Sequence, residues 1–187
     1  KTAACAAEVA AFVGTATARH FTVSGNTVGY TGPAQWSFRR MVLHYAKLCA
    51  LAGGVDGFLL GSELRGLTSL RRDGNAFPFV EALRALAAEV KAILPDAQIS
   101  YGADWSEYAG HRPEDGSGDV FFNLDPLWAS SAVGFIGLNN YMPLSDWRDG
   151  ARHSDRAAGS IYDLSYLKGN IAGGEGFDWY YRTADER

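Results

Sequence analysis

Val55-Asp56-Gly57-Phe58-Leu59-Leu60-Gly61 is the most informative run in the chain. It is too short for a helix, apolar on both faces, and enters directly from the paired glycines Gly53 and Gly54, so it predicts a buried strand of a parallel sheet. Before it, Met41, Val42, Tyr45, Leu48, Cys49 and Ala52 form one helical stripe, with Pro33 suited to the first turn and Gly53-Gly54 to the cap, predicting a helix over residues 34–52. After it, Pro78 opens a helix in which Val80, Leu83, Leu86, Ala87, Val90, Ile93 and Leu94 recur at three and four, and Pro95 ends it. Gln98 to Ala103 reads as a second strand. Asp125 and Pro126 then supply the cap and first residue of a short helix, and Val133 to Asn139 a third apolar strand.

The strand ends at Glu63, Asp104 and Asn140 follow one another at roughly 40 residues, a comfortable repeat for βα units joined by crossover helices. No GxGxxG or GxxxxGK[ST] follows any strand, so the doubly wound nucleotide folds lack their phosphate loop, and a TIM (β/α)8-barrel-like α/β fold is preferred. Such a barrel takes about 250 residues. With three core strands legible in 187 residues, the expectation is a partial barrel, residues 1–187 forming the central part of one TIM-barrel-like domain cut from a longer protein. Within it, ahead of the first long helix, lie a short amphipathic helix over residues 3–13 and a hairpin whose strands, Phe21 to Val23 and Val28 to Tyr30, flank turn residues at its tip.

Composition narrows the function. A formal net charge of −4 gives no basic field for phosphate backbones, so nucleic acid is not an expected partner. Apolar runs are broken by Glu8, Lys47 and glycines before they reach the length of a membrane span, and the Ala-rich start has no basic segment ahead of it, so neither a span nor a signal peptide is expected. Cys5 and Cys49 fit no disulfide framework or zinc spacing and read as small buried hydrophobes. No two histidines have metal-ligand spacing, so no metal and no cofactor is assigned.

In α/β sheets the functional groups gather where strands end. The three ends carry Gly61-Ser62-Glu63-Leu64, Gly102-Ala103-Asp104-Trp105-Ser106-Glu107-Tyr108 and Asn139-Asn140-Tyr141-Met142-Pro143. Carboxylates, amides and aromatics together suit a sugar site: acid–base or nucleophilic work at the anomeric carbon, hydrogen bonds to hydroxyls, and flat faces against a pyranose. Each also has a plainer reading. Glu63 pairs with Arg65 or caps the next turn, Asp104 and Asn140 hold loop backbone, and Trp105, Tyr108, Trp128, Tyr141 and Trp147 serve as core aromatics. Arg40 reads as surface charge, with a barrel carboxylate as the alternative target. Glu175, in Gly173-Gly174-Glu175-Gly176, is a carboxylate on a flexible loop ahead of the aromatic run Phe177-Asp178-Trp179-Tyr180-Tyr181.

These blocks, Phe58 to Leu67, Ile99 to Tyr108, Phe135 to Asp146 and Gly173 to Tyr181, together resemble the glycoside-hydrolase-like TIM-barrel domain of gene transfer agent and phage tail proteins, from about residue 3 onward. The resemblance implies a place in the tail of a virion or gene transfer agent particle, other tail proteins as partners, and a cell-envelope, peptidoglycan-like glycan as substrate. More distantly the blocks are similar to retaining glycosidases whose acid/base glutamate closes the fourth strand and whose nucleophile closes the seventh. By that likeness Glu63 matches the acid/base, Asp104 and Trp105 lie at the fifth strand's sugar subsite, and Asn140 and Tyr141 at the sixth; Glu107, from the same strand end as Asp104, is a further substrate-binding candidate on the residue reading alone. The Thr-Glu-Leu-Gly-like strand end that carries the nucleophile does not occur before Arg187, which leaves Glu175 as the alternative catalytic carboxylate within the chain. The rival expectation is a non-catalytic carbohydrate-binding or structural tail module. A partial barrel also leaves strand edges open, so the fragment is expected to be marginal alone, its edges shielded by self-association or by missing chain.

Overall fold

All three strands read from the sequence are present and pair in parallel, in the order β3-β4-β5: β3 (Gly57–Ser62), β4 (Gln98–Asp104) and β5 (Gly137–Asn139). The computed structural model describes residues 3–141, 144–145, 147–150 and 152–171. Its chain divides into two compact units, residues 1–139 and 140–187.

In the first unit, α1 (Ala3–Val13), the antiparallel hairpin β1 (Phe21–Ser24) and β2 (Thr27–Tyr30), and α2 (Phe38–Leu51) precede the sheet. Ser24 pairs with Thr27 across a two-residue turn in which Gly25 takes a φ of 55°. The crossovers carry α3 (Arg65–Thr68) and α4 (Pro78–Ile93) between β3 and β4, and α5 (Asp125–Trp128) between β4 and β5. The helix α4 buries Phe79, Val80, Leu83, Leu86, Ala87 and Val90, which is the three-four repeat of its sequence turned inward. It packs against α1, α2, α5 and the sheet. Leu60, Ile99, Tyr101 and Ala103 face this helical layer and are shut off from solvent.

The sheet's other face follows from register. Leu59 stands opposite Ser100 and Ser62 opposite Gly102, so three steps along β3 match two along β4, a bulge. Without the extra residue Ser62 would share the helical side with Phe58 and Leu60. With it, Ser62 joins Leu59, Ser100, Gly102, Asp104 and Asn139 on the face away from the helices, which is exposed at Leu59 and Ser62 and closed over at Ser100 and Gly102. A strand apolar on both faces was expected to be covered on both, and this is corrected: Leu59 is 48% exposed. The sheet is thus a partial TIM-barrel-like arrangement, with no closed barrel among the described residues.

Boundaries also differ from the sequence reading, β3 among them, which runs from Gly57 to Ser62 rather than from Val55 to Gly61. The helix expected over residues 34–52 starts at Phe38, because the Ser37 hydroxyl accepts the Arg40 amide at 3.3 Å and caps it there. Pro33 lies in a tighter turn, its carbonyl accepting the Gln35 amide. The cap of α5 is Leu124 rather than Asp125. The third strand, expected from Val133, begins at Gly137: the Gly134 amide donates to the Ile99 carbonyl at 2.8 Å, but the Phe135 carbonyl then takes the Ser100 hydroxyl at 2.6 Å, a side-chain bond that interrupts regular pairing ahead of Gly137. Cys5 is buried and Cys49 half-buried, neither in a disulfide.

The second unit holds a 3-10 turn (Ser154–Ala158) and α6 (Leu164–Ile171). Its Trp147 ring lies 4.5 Å from that of His153, Tyr166 donates to Asp155, and Asn170 Nδ2 donates to the Leu144 carbonyl. Among the described residues no helix is long and apolar enough to cross a membrane.

Candidate functional site at the strand ends

Glu63 follows the last residue of β3 with a φ of 56°, a left-handed conformation uncommon outside glycine. Two hydrogen bonds over-determine it. Its own amide donates to the Gly102 carbonyl at 2.8 Å, and the next amide, Leu64, donates to the Tyr101 hydroxyl at 2.6 Å. This turn leaves the Glu63 side chain exposed, where Oε1 accepts from Asn139 Nδ2 at 2.8 Å. The same nitrogen donates to Ser62 Oγ at 2.6 Å. One amide from the end of β5 therefore fixes the carboxylate at the end of β3, across the intervening strand.

The span over β4 needs a glycine beneath it. A Cβ at Gly102 would lie 3.1 Å from Asn139 Oδ1 and 3.2 Å from Ser62 Oγ, crowding both partners. At Gly137 a Cβ would sit 2.6 Å from the Tyr101 carbonyl oxygen, so glycine sets how closely β5 approaches β4.

Below this surface lies a buried polar knot. The Glu107 carboxylate, 4% exposed, accepts from the Tyr101 hydroxyl, from Thr68 Oγ1 and from the Asp104 amide at 3.1 Å. Burial, then the Glu107 charge, push the Tyr101 phenol far above its ordinary value, so it stays a neutral donor. The Leu64 amide, Tyr101 and Glu107 thus form one chain linking the β3 turn to the β4 turn. The Asp104 carboxylate is spoken for locally: Oδ1 accepts from the Ser106 hydroxyl and from its amide at 2.9 Å. Those two bonds, with Arg65 nearby, hold its carboxyl below the usual carboxylate range.

Of the residues singled out in the sequence, Glu63 and Asp104 occupy neighbouring strand ends, and Trp105 is half-buried just after Asp104. Glu107 is turned inward. The amide that meets Glu63 is Asn139, not the expected Asn140. Asn140 and the exposed Tyr141 belong to the second unit. Trp128 packs near Tyr101, ring centroids 6.3 Å apart. Glu175 and the aromatic run Phe177 to Tyr181 lie outside the described residues. Among the described residues Arg40 meets no strand-end carboxylate: its guanidinium lies 4.1 Å from the ring centroids of both Tyr30 and Trp36, and Nη1 donates to the Gln35 carbonyl.

A family model described as the GTA TIM-barrel-like domain matches residues 36–187. The chain belongs to that gene transfer agent family. The match takes in α2, all three parallel strands and the carboxylate–amide constellation, and begins after α1 and the β1–β2 hairpin, later than the resemblance expected from about residue 3. The comparison with curated proteins returned no match.

Chemically, the arrangement offers one exposed carboxylate with a fixed amide partner. Such a group can donate or accept a proton at a bound ligand, while a second carboxylate would be needed for nucleophilic attack.

Proposed function

We propose that this chain is the glycoside-hydrolase-like part of a gene transfer agent or phage-tail protein, and that it binds a cell-envelope glycan and, with a second carboxylate, cleaves it. The observation behind the reading is the Glu63 turn: an acidic residue kept in a left-handed conformation at a parallel strand end, its carboxylate held by Asn139. Backbone strain that surrounding bonds maintain gathers at functional sites. Glu63 would act as general acid, then base. The chain would supply central βα units of a barrel, and the nucleophile would be Glu175 or a carboxylate on a further strand. In a retaining mechanism that partner sits about 5 to 5.5 Å from the acid/base.

A binding-only tail module is the second reading, and one feature favours it. The two other strand-end carboxylates are already engaged, Asp104 by Ser106 and Glu107 by Tyr101, Thr68 and an amide, so neither stands ready as nucleophile. Purified chain on an array of cell-envelope glycans, with a parallel assay for new reducing ends, separates the two. Glycan retained and cleaved only when the second carboxylate is present supports the enzyme. Glycan retained without turnover by any longer form supports the binding module, and no retention at all removes both.

A further inference from the structure

An apolar groove of about 800 Å³ opens between the end of α1, the β1–β2 hairpin and α2, and neither Glu63 nor any other strand-end group lines it. Large side chains crowd its surface. Trp36 is 88% exposed, Tyr45 57%, Met41 51% and Phe12 45%. Phe12 stacks on Phe38 at 5.6 Å, so the floor of the groove is the hydrophobic core and its shape is set by packing. Contiguous apolar surface of this kind marks an interaction site.

Charge tells what would fill it. Between Glu8 and Asp56 the sequence has no carboxylate at all, while Arg19, Arg39, Arg40 and Lys47 fall there together with His20 and His44. This is a cationic island in a chain of net charge −4. Glu89, reaching over from α4, pairs with Arg39 and accepts the Ala18 amide, so Arg39 is neutralised. Arg40 is the cation on the groove wall, clamped between Tyr30 and Trp36, with His44 beside it. A rigidly placed cation next to apolar anchors fits a ligand that carries aliphatic side chains on one side and carboxylates on the other.

We propose that the groove docks an acidic amphipathic peptide segment of a partner protein. Its apolar side chains enter among Phe12, Trp36, Met41 and Tyr45, and its carboxylates face Arg40. A sugar is the poorer fit, because the lining is dominated by carbon and offers few groups for hydroxyls. Part of the wall, on α1 and the hairpin, precedes the segment matched by the family, and the rest, from Trp36 to Tyr45, lies inside it.

The test uses the whole chain and two labelled synthetic peptides, each with leucine on one helical face, one with glutamate and the other with lysine on the opposite face. Fluorescence anisotropy should show saturable binding of the glutamate peptide, weakened by added salt. Met41→Glu, which sets a carboxylate among the anchors, should reduce affinity by about tenfold or more, the loss of one well-packed anchor. Tyr45→Glu is the second variant. Both positions are exposed, and unchanged circular dichroism verifies the fold. Equal binding of the lysine peptide, no binding of either peptide, or binding indifferent to both variants overturns the proposal. So does a dimer in sedimentation that Met41→Glu dissolves, since the occupant is then a second copy of the chain.

Discussion

Glu63 sits where a glycine would be the unstrained choice, and its conformation is maintained by the Tyr101 hydroxyl and the Gly102 carbonyl. Tyr101→Phe removes one oxygen, taking away the acceptor of the half-buried Leu64 amide and one of the three donors that hold the buried Glu107 carboxylate. Equilibrium urea unfolding should show a loss of about 1–3 kcal/mol, the usual cost of such unpaired groups. Titration gives a second expectation. The Asp104 carboxyl is held below its unfolded value by Ser106, so its contribution is present above pH about 4 and is lost as pH falls through the folded value. Asp104→Asn should therefore flatten the acid limb of stability against pH, measured by urea unfolding from pH 7 down to 3. Identical acid limbs would contradict it. The partnership of Glu63 with Asn139 shows the limit of reading a sequence at this scale. Asn139 and Asn140 look alike as strand-end amides, and which one reaches the sheet's open face depends on register: Asn139 pairs beside Asp104. The bulge that brings Ser62 to that same face falls between Leu59 and Ser62, where Gly61, a glycine inside a strand run, is its one mark in the sequence.

At the scale of elements, what was legible is what periodicity carries. The helix α4 with its buried stripe, the turn in the hairpin and the parallel order of three short apolar strands all follow from spacing, proline and glycine. Where side chains bond to backbone, boundaries moved: Ser37 sets the start of α2 and Ser100 delays β5. The close seam between β4 and β5 depends on Gly137, whose added Cβ would press on the Tyr101 carbonyl, and backbone cannot swing away as a flexible side chain would. Gly137→Ala should destabilise the chain by about 1–3 kcal/mol, as overpacking does, read from the midpoint of thermal or urea unfolding. Gly102→Ala presses only on the tips of Asn139 and Ser62. It should cost less stability than Gly137→Ala. Equal costs for the two would show that the seam, not the site, bears both.

Across the whole molecule, the three-stranded parallel sheet has helices on one face and Leu59 exposed on the other, with β3 at an edge. Unpaired strand edges template further pairing. Concentration-dependent association in sedimentation velocity is expected, and it should persist in Met41→Glu, because the groove beside α2 is elsewhere in the unit. A strict monomer at high concentration would count against it. A general-acid role for Glu63 shows itself in kinetics. In a form of the protein that carries both carboxylates, Glu63→Gln should slow cleavage of the natural glycan by about 10²–10⁴-fold, the usual contribution of general acid catalysis. It should largely spare an activated aryl glycoside, whose leaving group needs no proton. The same rate for mutant and wild type on the natural glycan would remove Glu63 from the mechanism.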